Sequence, residues 1–77
     1  MSLEFLTSVA VLRNAIIVHR TVNTDPMYND EDRALARSDL QEAWYSFIYT
    51  SASFILSARQ DKMREIIAHL YRRATKL

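Results

Sequence analysis

The sequence predicts an all-α fold, either a small three-helix bundle or a helical hairpin with a long second helix, completed by oligomerisation. Three observations lead there. The 77 residues contain no glycine and a single proline, Pro26, so the chain lacks the residue that most readily supplies the positive φ of tight hairpin turns. Apolar residues recur at three- and four-residue spacing through three long segments. Polar residues able to cap a helix stand at the start of each.

The first helix is expected over about residues 3–21, where Phe5, Leu6, Val9, Leu12, Ile16 and Ile17 fall at helical spacing and Ser2 is placed to accept an orphan N–H. The run Asn23, Thr24, Asp25, Pro26 ends it. The residue before proline is pushed out of the α region, and Asn, Thr and Asp compete for backbone hydrogen bonds, so residues 22–29 read as a loop.

Asn29 is a candidate cap for a second helix over about residues 30–57, with Asp30, Glu31 and Asp32 in a first turn where acids favour the positive end of the dipole. This helix carries two apolar stripes. Leu40, Trp44, Phe47, Ile48, Ser51 and Ile55 form one, and Tyr45, Tyr49, Ala52 and Leu56 the other. Ser38 with Gln41 also has capping-box spacing, which makes a break near residue 38 an alternative.

Ser57 with Gln60 repeats that spacing ahead of a third helix over about residues 59–76. Its periodicity is the cleanest in the chain: Met63, Ile66, Ile67, Leu70, Tyr71, Ala74 and Leu77. Arg72, Arg73 and Lys76 fall in the last turns, where cations suit the dipole. No Gly or Pro marks the junction with the second helix, so one continuous helix over residues 31–76 is the competing reading.

Length and composition bound the function. A chain of this size is one domain, residues 1–77, and buries only about 60% of its unfolded surface, which leaves no room for a large catalytic cleft. Cysteine is absent, which removes disulfides, thiolate metal sites and a Cys nucleophile and fits a reducing, cytoplasmic setting. No basic segment precedes the first apolar stretch and Arg13 interrupts it, so neither a signal peptide nor a membrane span is expected. Ten Lys and Arg balance nine Asp and Glu, but unevenly. Residues 25–42 carry six acids against Arg33 and Arg37, a net of −4, whereas from Arg59 onward six cations face Asp61 and Glu65, a net of +4.

Chemistry-bearing motifs are missing. There is no Gly-rich phosphate loop, no G-x-S-x-G and no H-E-x-x-H, and no cofactor is implied. Asp61, Glu65 and His69 share one helix face, with His19 available from the first helix, but the chain lacks the Glu-x-x-His pair of bundle metal sites, and a solvated face is the simpler account. Arg13 and Arg20, two turns apart, offer an arginine-lined anion site for a small helical dimeric enzyme; salt bridges to Asp30, Asp32 or Glu42 are the plainer expectation. Arg59, Lys62, Arg64, Arg72, Arg73 and Lys76 could neutralise nucleic-acid phosphates, although they are spread around the helix and the net charge is near zero.

The apolar faces favour a different function. The first helix has a second strip at Val11, Ala15, Val18 and Val22, and the second helix has its tyrosine strip, whereas a bundle helix needs one broad face. The excess implies a non-catalytic protein–protein interaction module, a small regulator, adaptor or inhibitor that self-associates as a dimer or binds a larger protein. The expected interface residues are Tyr45, Tyr49, Ala52, Leu56, Val11, Ala15 and Val18, with the third helix reserved for the core. Trp44 and Tyr71 could join a recognition surface, with core packing as the competing account.

Overall fold

The computed structural model describes residues 3–76. Three helices form an all-α bundle, with no strand among the described residues: α1 (Leu3–Thr24), α2 (Asp30–Ser53) and α3 (Ala58–Ala74). The Ser2 cap and Leu77 lie outside the described residues.

Local hydrogen bonds set the element boundaries. Asp25 turns the chain after α1, its carboxylate accepting the Met27 N–H at 2.9 Å. Asn29 then closes a reciprocal capping box: its side chain accepts the Asp32 N–H at 2.9 Å while the Asp32 carboxylate accepts the Asn29 N–H at 3.3 Å. No break occurs near residue 38. α2 instead ends at Ser53, four residues short of the expected end, and Phe54 is extended at φ −126°, ψ 148°. Ser51 and Ser53 turn their hydroxyls back onto the Phe47 and Tyr49 carbonyls at 2.7 and 2.8 Å, a bond that weakens a helix locally. Ser57 and Gln60 make the second capping box at the start of α3. A continuous helix over residues 31–76 is thereby excluded.

α1 and α2 pack antiparallel along most of their length, and α3 lies against them with its backbone closer to α1 than to α2. The core is a cluster of Phe5, Leu12, Leu40, Ala43, Phe47 and Ile67, covered by partly buried residues that include Leu6, Val9, Ile16 and Leu56. Trp44 is the main bridge from α2 to α3. Its ring stacks on Tyr71 with centroids 4.0 Å apart and planes 2° off parallel, and reaches Phe47 at 5.7 Å. Such offset or stacked pairs add about 0.5–1.5 kcal/mol beyond burial.

By length and composition α1 is apolar enough to cross a membrane, with a window mean hydropathy of 1.2. This differs from the expectation that Arg13 would break the stretch, because the Val, Ile and Leu residues on either side outweigh it. In the fold, α1 is the helix that supplies Phe5 and Leu12 to the core.

The bundle is a rod. Its Cα extents are 41 × 16 × 15 Å and its radius of gyration is 13.2 Å, against about 11.5 Å for a compact chain of this length. Its accessible surface is 5708 Å², whereas a compact 9.0 kDa monomer exposes about 4,850 Å².

Candidate interaction surface

The middle of α2 is an exposed ridge with a groove on each side. Tyr45 and Tyr49 crown the ridge, one helical turn apart, 69% and 76% exposed. On one flank, two adjoining depressions of about 390 and 410 Å³ run between α1 and α2 and share Val11, Ala43 and Ser46. Small α2 side chains keep this groove open: Ala36, Ala43 and Ser46 face Val11, Ala15 and Val18. Glu4, Asp39 and Glu42 give it acidic edges, with no cation lining it among the described residues. On the other flank, a depression of about 430 Å³ separates α2 from α3, with Trp44, Ile48 and Ala52 on one wall and Arg64, Ala68 and Arg72 on the other. It is open because α3 lies closer to α1 than to α2, and Glu65 and the small Ala68 complete its α3 wall.

The predicted interface residues therefore fall in separate places. Val11 and Val18 are about half exposed in the α1–α2 groove; Ala15 beside them is half-buried, and Val22, which continued the strip in sequence, is buried. Tyr45 and Tyr49 lie on the ridge, and Ala52 belongs to the α2–α3 groove. Leu56 does not continue the tyrosine strip, since α2 has already ended; it sits in the connector and packs against the core. Ile55, expected on the core stripe, is fully exposed for the same reason.

Four apolar side chains on the periodic stripes lie exposed at face edges: Ile17 of α1, Ile48 of α2, and Ile66 and Leu70 of α3, at 50%, 45%, 55% and 41%. Ile48 and Ile66 each neighbour a buried residue, Phe47 or Ile67, and one residue is about 100° around a helix. That adjacency is the available signal. The third helix thus leaves part of its apolar face wet, contrary to the expectation that its face is fully used.

The basic residues surround α3 on several sides. Arg59, Lys62, Arg64, Arg72, Arg73 and Lys76 are all exposed, Arg64 is paired with Asp61, and Arg64 and Arg72 border the α2 groove while Arg73 lies beside Arg20 against α1. Arg13 and Arg20 make no salt bridge to Asp30, Asp32 or Glu42 among the described residues, contrary to expectation. Asp30 is engaged by Arg33 at 2.9 Å and Asp32 by its capping box, so local partners win over distant ones. Among the described residues, no group of three or more His, Asp or Glu, including Asp61, Glu65 and His69, is arranged to hold a metal ion.

Comparison with protein-family models, with characterised proteins and with solved structures finds no match.

Proposed function

We propose that the chain is a non-catalytic helical protein–protein interaction module that self-associates through the outer surface of α1 and α2. One observation carries the reading. The surface exceeds that of a compact monomer by about 850 Å², close to the roughly 800 Å² that each partner contributes to a standard interface. Five of the exposed large apolar side chains, Val11, Val18, Tyr45, Ile48 and Tyr49, lie on or beside the α2 ridge. Tyr is enriched at interface hot spots, because it brings a large apolar body at low conformational cost.

A second copy is the simplest cover for such a surface, since most small oligomers are twofold symmetric and self-complementary. Two ridges meeting side by side would bury the tyrosines and complete a layer of four helices. The acidic edge at Asp39 and Glu42 favours an arrangement that sets it against neutral α1 residues such as Asn14, because like charges facing each other are unfavourable. Sedimentation equilibrium from micromolar to millimolar protein tests the reading. A mass that rises to twice that of the chain supports it; a constant monomer mass throughout overturns it.

A further inference from the structure

We infer that the end of the bundle where all three helices converge holds a binding site for a small organic oxyanion, a carboxylate or phosphate carried on a compact apolar body. The site is a pocket of about 280 Å³ lined by His19 from α1, Arg37, Leu40 and Gln41 from α2, and Tyr71 and Thr75 at the end of α3. It is separate from the α2 ridge and does not depend on self-association.

His19 is the starting point. The residue is 4% exposed, and Nε2 has no hydrogen-bond partner among the described residues. Its protonation pattern follows from its neighbour one turn on. The Asn23 side-chain amide donates to the His19 carbonyl at 2.8 Å, which fixes Nδ2 rather than Oδ1 on that side, and the same Nδ2 lies 3.4 Å from His19 Nδ1. Nδ1 is therefore the acceptor, and the ring proton sits on Nε2. A buried N–H donor without a partner is costly, and in native proteins such a group calls for an explanation.

The rest of the lining specifies the chemistry. Arg37 is exposed and forms no salt bridge among the described residues, where the ion pairs are Arg33–Asp30 and Arg64–Asp61. Among the described residues, no carboxylate lines the pocket. At the carbonyl end of α3, the Thr75 hydroxyl donates to the Arg72 carbonyl at 2.9 Å, which occupies one of the acceptors left free there. A guanidinium, an imidazole N–H and the Gln41 amide together favour an oxygen anion. The volume and the Leu40 and Tyr71 walls leave space for a few carbons behind it. Arg37, Gln41 and Thr75 are the exposed residues of the lining, so the ligand enters past them.

Benzoate and phenyl phosphate, with inorganic phosphate beside them, are the probes. Titration into ¹⁵N-labelled protein, followed through the His19 ring and Arg37 side-chain resonances, is expected to give saturable shifts and a rise in Tm. Arg37→Gln should weaken binding at least tenfold, whereas Lys62→Gln, a cation outside the pocket, should leave it unchanged. Binding of the aromatic anions but not of inorganic phosphate supports the apolar body; binding of all three supports the anion site alone and overturns the body. Saturable binding that survives Arg37→Gln, or unmoved His19 resonances in the wild type, overturns the site.

Discussion

Replacing Tyr45 and Tyr49 together by Glu removes the crown of the α2 ridge. Both side chains are more than two-thirds exposed in the isolated chain, so covering them in a complex contributes about 1.5 kcal/mol each, the lower end for a large side chain. A twofold pair presents four such rings. The variant therefore loses about 6 kcal/mol of association free energy, roughly four powers of ten in Kd, before the cost of placing carboxylates at the centre of the contact. A pair with a Kd of about 1 μM moves to about 10 mM. The monomer itself should be little affected, because exposed substitutions usually change stability by within about 0.5 kcal/mol and Glu is a good helix former. Light scattering across concentration, with circular dichroism melts on the same samples, reads both quantities. A folded variant that keeps the wild-type oligomer mass would refute the placement of the interface on this ridge.

Ser57→Ala removes the acceptor of the capping box on α3 and should cost about 1 kcal/mol, lowering Tm by roughly 4–8 °C for a domain of this size; a thermal melt checks it. Phe47→Ala strips the residue that touches both Phe5 and Trp44, and a loss of about 3–5 kcal/mol out of a total near 4–12 should lower the urea midpoint by about a quarter or more. Charge reversal at Arg72 and Arg73 should leave the oligomer mass unchanged at physiological salt; loss of a salt-dependent nucleic-acid complex in the same variant would support nucleic-acid binding instead. Amide exchange should be faster throughout α3 than in the middle of α1 and α2, since α3 buries the fewest side chains.

What the sequence made legible is what depends on neighbours in the chain. Asn29 and Ser57 announce their helices because a cap needs only a side-chain acceptor and a donor three residues later, and both boxes form. Phe5, Leu12, Leu40 and Phe47 are legible as core because each sits at the middle of a helical stripe. The end of α2 was not legible. The stripe runs on through Ile55 and Leu56 in sequence, and no Gly or Pro interrupts it; serine hydroxyls turned back onto the helix carbonyls and a competing cap at Ser57 accompany its end. That error carried Leu56 onto the tyrosine strip. The grooves were out of reach for a different reason: whether Ile48, Ile66 and Leu70 are covered depends on how α3 sits between α1 and α2, a tertiary quantity that periodicity along one helix does not contain.

The seating of α3 also connects the surfaces of the bundle. Gln60, Ile67 and Ala74 are its buried residues, and it is tied to α2 through Ile67 in the shared core and through the Trp44–Tyr71 stack. Ile66 and Leu70 stay partly wet on the α1 side while the α2 side opens into the 430 Å³ groove. An element held this lightly is stabilised by whatever bridges it to its neighbours, because a ligand bound only by the docked state adds RT ln(1 + [L]/Kd) to docking. Tyr71 stands at the junction. One face of its ring meets Trp44, whose own side chain walls the α2–α3 groove, and the residue also lines the His19 pocket. If a partner fills the groove and an anion fills the proposed pocket, each binds against the same stacked pair, and the expected outcome is that both stabilise the docking of α3 in the same direction.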